Sequence, residues 1–257
     1  MKIRLALLLL TFLVAGGVTA QEPALTDRIL FPILSRPFSG NLGSLWHTEV
    51  SMLIDSEEEV SLFPLVDCIL CEDNLPRRRT FTPPLFFQQP GHFPGSILHV
   101  DHAAAEDVHF SLRVRDASRA DQGAGTEIPV VREEDFFRDR LHLLSVPLEA
   151  GFRQTLRIYD VNATPGAAVR VRIFPDEGTA PAFNRTLAFS FSPAHNPNFV
   201  RPVTPGYIQL DLHAVPELAG LGRVRVEVEP ATTGLEFWAF ITLTNNFTQQ
   251  VTVISPQ

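Results

Sequence analysis

The chain has 257 residues, and its 29 acidic and 21 basic side chains give a formal net charge of −8 at pH 7. A net negative chain has no broad electrostatic attraction to nucleic acid or to anionic lipid, so we expect neither as a partner. Lys2 is the only lysine, so the residues after it lack the side chain that forms Schiff bases and clamps phosphates.

Residues 1–20 have the organisation of a secretory signal peptide. Lys2 and Arg4 supply positive charge, an apolar run follows from Leu5 to Val14, and small or permissive residues precede Gln21. This apolar run is shorter than the roughly 20 residues that a spanning helix needs, and no later run is long enough, so we expect no membrane span in the mature chain. The sequence therefore predicts export to the periplasm, the cell surface or the extracellular space.

Apolar runs between prolines and glycines predict short strands near 29–34, 43–54 and 60–66. In the second run, Trp46 shares one face with Val50, Met52 and Ile54, because side chains alternate along a strand. Trp46 is therefore expected in the core, and a sugar-stacking platform is the alternative.

Cys68 and Cys71 are the only cysteines in the chain. A C-x-x-C pair can be a redox dithiol, half of a zinc site or a structural disulfide. No second ligand pair for zinc lies nearby in the sequence, and the flanking pattern of strand and proline lacks the helix start that redox chemistry needs. In an exported chain, we interpret the pair as a small disulfide loop.

Three histidines lie in or between the strands predicted at 96–100 and 108–114: His99, His102 and His109. A metal site is the functional interpretation, but His99 and His102 would point to opposite faces of one strand. Their spacing matches no standard metal site, so we predict no metal. We also predict no cofactor, because Gly123-Ala-Gly125 lacks the phosphate-binding fingerprint and a following amphipathic helix.

Residues 133–140, EEDFFRDR, are predicted to be a charged loop or one helical turn. Adjacent acids could indicate the paired carboxylates of a glycosidase. In a segment this rich in charge, we instead expect them to face solvent.

The stretch from Gly151 to Phe174 contains two alternating runs around a turn cluster at 162–166. We predict a β-hairpin with Arg157, Arg170 and Arg172 on its outer face. We expect interleaved acids to neutralise these arginines, whereas an unneutralised patch would indicate an anionic ligand such as an acidic polysaccharide. The three arginines are therefore candidate binding residues.

Residues 175–181 combine proline, glycine and acids directly after a strand, a pattern typical of a domain linker. Further strands are predicted beyond it, and the last two form a hairpin around Asn245-Asn246. On the strand from Leu235 to Thr244 the odd-numbered positions are apolar, so Trp238 and Phe240 are expected on the outer face. We expect the larger domain to cover these two candidate binding residues, and a partner chain or a stacked sugar is the alternative.

The C-terminal stretch reads FWAFITLTNN from Phe237 and TQQVTVISPQ from Thr248, and a second segment at 43–49 reads GSLWHTE. These two short segments resemble uncharacterised secreted bacterial β-sandwich proteins. The resemblance implies export and an all-β fold, and it brings no catalytic residue with it.

These patterns predict an all-β protein of two β-sandwich domains, Ig-like or jelly-roll-like, at 21–176 and 182–257. The sequence has no GxSxG, HExxH or phosphate-loop motif. We interpret it as an exported, non-catalytic binding or structural module whose partner is an extracellular protein or polysaccharide. The alternative is a secreted hydrolase whose acids or histidines come from separate loops, an arrangement that leaves no linear motif.

Overall fold

The computed structural model of the protein describes residues 26–34, 37–57, 59–64, 73–75, 79–81, 95–119, 123–191 and 201–257. These residues form antiparallel strands joined by turns and short 3-10 helices, which confirms the predicted all-β class. None of the helices within these ranges is long and apolar enough to cross a membrane. The predicted signal peptide and the pair Cys68 and Cys71 lie outside the described residues.

The strands before residue 133 form two sheets. They are β1 (Thr26–Phe31), β2 (Phe38–Ser39), β3 (Leu45–Ile54), β4 (Val60–Phe63), β5 (Asp73–Leu75), β6 (Arg79–Phe81), β7 (Ser96–Asp101), β8 (Val108–Asp116), β9 (Thr126–Ile128) and β10 (Val131–Arg132). Sheet I has the order β10-β1-β7-β4-β5. Sheet II has the order β2-β3-β8-β9, with β6 also paired to β3.

The strands after residue 140 form two more sheets. They are β11 (Leu141–Pro147), β12 (Phe152–Asp160), β13 (Ala168–Pro175), β14 (Phe183–Ala188), β15 (Gly206–Asp211), β16 (Arg223–Pro230), β17 (Phe237–Asn245) and β18 (Val251–Ile254). Sheet III has the order β15-β12-β17-β18, and sheet IV has the order β11-β16-β13-β14. The predicted last hairpin is confirmed as β17 and β18, which pair antiparallel.

The strand pairing changes at 133–140 and not at the predicted linker. The segment that we expected to separate the ranges 21–176 and 182–257 instead joins β13 to β14, which are paired neighbours in sheet IV. A tight turn and a domain linker both need exposed, polar, proline- and glycine-rich backbone, so composition does not distinguish them.

The predicted hairpin at 151–174 is also corrected by the pairing. β12 pairs with β15 and β17 in sheet III, whereas β13 pairs with β14 and β16 in sheet IV. The buried faces of both strands, with Leu156 and Ile158 on one and Val169 and Val171 on the other, contribute to a single hydrophobic core. The two strands therefore belong to different sheets that share one core, and the turn between them crosses from sheet III to sheet IV.

A second hydrophobic core extends across the boundary between the two pairs of sheets. It contains residues of sheets I and II together with Tyr159, Val161, Trp238 and Phe240 from the second half of the chain. Trp238 is 4% exposed and Phe240 is fully buried. The predicted outward direction of these side chains and their cover by residues before Pro175 are therefore confirmed.

Polar contacts reinforce the same boundary. The Tyr159 hydroxyl donates to the Pro32 carbonyl, and Thr126 Oγ1 donates to the Val251 carbonyl at 2.6 Å. Sheet III is therefore held against the first pair of sheets by hydrogen bonds as well as by apolar packing.

Arg28 of β1 is the centre of an ion-pair cluster across this boundary. Its Nη2 lies 2.6 Å from Glu133 Oε1 and 2.7 Å from Glu236 Oε2, and its Nη1 donates to Asn162. Burial would raise the pKa of Glu133 and of Glu236, but the hydrogen bonds and charge of Arg28 hold both below their usual value.

Replacement of Arg28 by Met should lower the free energy of unfolding by about 2 kcal/mol, less than for a fully buried pair because the site is partly open to water. The loss arises because Glu133 and Glu236 would keep their charges in a half-buried place without a cation. Urea unfolding at pH 7 measures the change.

Arg138 provides the matched control, since it binds the same Glu236 at 2.5 Å but its side chain is 71% exposed. Arg138→Met should change the stability by less than about 0.5 kcal/mol. An equal loss of unfolding free energy in the two variants would contradict a structural role for the Arg28 ion-pair cluster.

Candidate functional site: a cleft between the sheet pairs

A cleft of about 400 Å³ lies between sheet II and the outer face of sheet III. Residues from strands of both halves line it, so it exists only because the two pairs of sheets pack together. The side chains that matter for chemistry are Trp46, Arg153, Thr155, Arg157, Gln209, Asp211, His213, Thr242 and Thr244.

The alternation of β12 positions the polar side chains of the cleft. Gln154, Leu156 and Ile158 are buried on the inner side, so Arg153, Thr155 and Arg157 point outward. The strand register then brings neighbours from both sides. Asp211 of β15 and Thr242 of β17 are both opposite Thr155.

Arg157 is recessed in the cleft and makes one hydrogen bond to the described residues, from its Nη1 to Thr242 Oγ1. Its guanidinium carbon lies 5.9 Å from the centre of the Phe240 ring. Burial lowers the pKa of Arg157 below its usual value. No carboxylate of the described residues forms an ion pair with this side chain. Arg157 therefore presents unused donors to the cleft.

Arg153 is a second cation whose partners are uncharged. Its Nη1 donates to Asn246 Oδ1 at 3.1 Å and its Nη2 donates to Gln249 Oε1 at 2.7 Å. Gln249 is fully buried and has a φ of 59°, an uncommon conformation for a residue other than glycine. Two amides thus hold the guanidinium in place without neutralising its charge.

Asp211 and His213 add titratable groups to the cleft, and both are exposed. The Asp211 carboxylate accepts a hydrogen bond from Thr155 Oγ1 at 2.9 Å. Thr155 lies between Arg153 and Arg157 on the same face of β12, so the carboxylate sits between the two cations along the strand.

Trp46 lines the far side of the cleft. It packs against the first core, as predicted, but part of its surface remains accessible. A Cβ atom at Gly40 would overlap with the Trp46 ring, so the indole rests directly on the glycine backbone. This contact fixes the ring as one wall of the cleft.

The other predicted arginines, Arg170 and Arg172, lie on the outer face of sheet IV, away from Arg157. Their register partners on β16 are Glu229 and Glu227. Arg172 Nη2 lies 2.9 Å from Glu229 and 3.3 Å from Glu227, and Arg170 Nη1 lies 4.0 Å from Glu229. The predicted interleaving with acids is confirmed, so these two arginines do not form an unneutralised patch.

Trp238 and Phe240 do not offer the stacking surface that was their alternative role, because both are buried at the boundary. Their ring centroids are 5.0 Å apart. Phe240 instead contributes to the cleft through Arg157, because the Arg157 guanidinium lies over the Phe240 ring.

Two of the three histidines considered for metal binding, His99 and His102, have separate partners. His99 is 3% exposed and its Nε2 donates to the Pro202 carbonyl at 2.8 Å, whereas His102 Nδ1 lies 2.7 Å from Asp27 Oδ1. Within the described ranges, no group of three or more His, Cys, Asp or Glu side chains has the arrangement of a metal site.

Sequence reasoning identified Arg157 but missed the residues that complete the cleft. Arg153 and Thr155 lie on the same face of β12 as Arg157, and this alternation could have identified them from the sequence. Gln209, Asp211 and Thr242 come from strands 50 or more residues away in sequence, and only the strand register brings them beside β12. Comparison with known proteins gives no matching family model, no matching curated protein and no matching solved structure.

Proposed function

We propose that the chain is an exported, non-catalytic binding module of two β-sandwiches, and that the cleft between them binds a small hydroxylated carboxylate. The signal-like residues 1–20 and the resemblance to secreted bacterial β-sandwich proteins support export. The position of Arg157 carries the assignment of the cleft as the binding site.

Arg157 supports an anionic ligand because no carboxylate of the described residues forms an ion pair with it, although the charge of Asp211 lies close enough to act on it. A guanidinium can donate two parallel hydrogen bonds to one carboxylate, and such bonds are stronger than those between neutral groups. The partial burial of the side chain strengthens the attraction, since a recessed charge is less screened by water.

The rest of the lining supports a ligand that also carries hydroxyl groups. Thr155, Thr242, Gln209 and Asp211 offer hydrogen-bond donors and acceptors close to Arg157. Trp46 adds an aromatic wall of the kind that packs against the apolar face of a sugar ring. A uronic acid, which combines a carboxylate with several hydroxyls, fits both features.

D-galacturonate, D-glucuronate and D-mannuronate should bind the mature protein saturably, and Arg157→Met should weaken the tightest of them by about tenfold or more. The reason is the loss of a charge-assisted hydrogen-bond pair. Isothermal titration calorimetry or protein-detected NMR measures the affinity, and the melting temperature verifies that the variant is folded.

Arg170→Met is the matched control, because Arg170 is an exposed arginine on the outer face of sheet IV. Its affinity for each uronate should equal that of the parent protein. Absence of saturable binding by all three uronates, or an equal loss in both variants, would reject the proposal.

A secreted hydrolase is the alternative, and Asp211 is the carboxylate of the described lining that would serve it. Glycosidases use two carboxyl groups that flank the scissile bond. Release of reducing ends from tetragalacturonate that stops in Asp211→Asn would therefore favour the hydrolase over the binding module.

A further inference from the structure

A second cavity of about 450 Å³ adjoins the cleft, and the two share Arg153 and His213 in their linings. Glu149, Asn246 and Phe152 also line the second cavity. Because the same two side chains form part of both walls, the two cavities are neighbours, and the cleft together with this second cavity is called the groove below.

The groove carries two cations at a defined spacing. Arg153 and Arg157 are four residues apart on the same face of β12, which separates their Cα atoms by about 13 Å. The hydrogen-bond partners of both are uncharged: Thr242 for Arg157, and Asn246 and Gln249 for Arg153. A ligand that carries regularly repeated negative charges could therefore reach both.

The groups between the two arginines disfavour a continuous run of negative charge. Thr155 and Asp211 occupy this middle position and are hydrogen-bonded to each other. The Asp211 carboxylate accepts hydrogen bonds from hydroxyl groups but repels another anion. The order along the groove is thus cation, hydroxyl and carboxylate, then cation.

We propose that this groove binds an acidic oligosaccharide, with one sugar carboxylate on Arg157, a second on Arg153 and uncharged hydroxyls at Thr155 and Asp211 between them. This inference rests on the proposed function, because it assigns the same Arg157 site to one end of a longer ligand. Nucleic acid fits less well, since every backbone unit carries a charge and the chain itself has a net charge of −8.

Gln249 is a positioning residue in this arrangement. Its Nε2 donates to the Asn246 carbonyl at 2.8 Å while its Oε1 accepts from Arg153. The side-chain amide is therefore fixed at both ends, and the guanidinium points into the groove with its charge intact. A carboxylate at this position would neutralise Arg153 without a change in side-chain size, with loss of the hydrogen bond to the Asn246 carbonyl.

The affinity of the mature protein for oligosaccharides of one to six units, in which a uronate alternates with a neutral sugar, should rise with length until both arginines are engaged. The gain over the monomer should be about tenfold or more, and Arg153→Met should abolish it while monomer binding persists. Fully methyl-esterified oligomers of the same length provide the control, because they keep the sugar and the linkage but lose the charge.

Gln249→Glu provides a second variant, because Arg153→Met leaves the buried Gln249 carbonyl without its donor and could disturb the turn. Gln249→Glu should also reduce the gain with length. An affinity that does not change with length would overturn the groove while the Arg157 site stands. Failure of monomers and oligomers alike would reject both proposals. Tighter, Arg153-dependent binding of an oligothymidylate would overturn the assignment to a sugar.

Discussion

Replacement of Trp238 by Ala should lower the free energy of unfolding by about 3–5 kcal/mol. The side chain is 4% exposed, belongs to the core that spans the two pairs of sheets and contacts Phe240 with a centroid separation of 5.0 Å. Truncation would remove this apolar contact and leave a cavity that the strands around it cannot fill by collapse. Equilibrium unfolding in urea measures the loss.

Phe247→Ala is the control for this experiment, because Phe247 is a large aromatic that is 80% exposed at the turn after β17. It should change the stability by less than about 0.5 kcal/mol. A Trp238→Ala variant as stable as the Phe247→Ala variant would mean that the boundary contributes little and that the two pairs of sheets fold independently.

The direction of the Trp238 side chain was predictable because the apolar alternation that determines it lies within one strand. Phe237, Ala239 and Ile241 form a continuous apolar set, and a period of two then fixes the opposite direction for Trp238 and Phe240. The same local rule predicted the outward direction of Arg157.

The partners of each strand were not predictable by this rule. Two successive strands with one buried face each have the same alternation whether they pair side by side or lie in opposite sheets of one core. The sequence from Gly151 to Phe174 was therefore interpreted as a hairpin, although β12 and β13 belong to sheets III and IV. The choice depends on contacts with distant strands, which a local pattern does not contain.

The change in strand pairing at 133–140 was not predictable, because the charge of this segment is equally typical of an exposed loop. Glu134, Asp135 and Asp139 are exposed, as expected for the acids of this segment, whereas Glu133 accepts hydrogen bonds from both the backbone and the side chain of Arg28, 105 residues earlier. A solvent-exposed charged loop and a segment that contributes to an ion-pair cluster have the same composition. They differ only in whether a cation from elsewhere in the fold reaches them.

The cleft follows from the same long-range contacts. Sheet III buries Tyr159, Trp238 and Phe240 against the first pair of sheets, whereas Arg153, Thr155 and Arg157 border open space. The outer face of sheet III therefore has an apolar section and a polar section. Packing of the apolar section against the first pair of sheets positions the polar section beside sheet II. A mutation at the boundary should thus affect both stability and ligand binding.

His99 should make the protein less stable in acid, by about 3 kcal/mol between pH 6.5 and pH 4. Burial is the main cause that lowers the pKa of His99 to about 4, and the charges of Arg201 and Arg28 act in the same direction. The folded protein therefore holds the neutral ring, whereas the unfolded chain takes up a proton near pH 6.5. The stabilisation is complete above pH 6.5 and is lost as the pH falls towards 4.

The effect is best measured as a difference between the parent protein and His99→Gln, with urea unfolding at several pH values. Asp160 requires this design, because burial raises its pKa to about 6 and its contribution falls as the pH rises, which opposes that of His99. The stability of the parent relative to His99→Gln should decrease by about 3 kcal/mol from pH 6.5 to pH 4. His102→Gln is the control, because its exposed imidazole has a pKa raised by Asp27 and should not produce an acid-side loss. A parent-to-variant difference for His99 that is constant with pH would show that its ring is accessible to protons in the folded state.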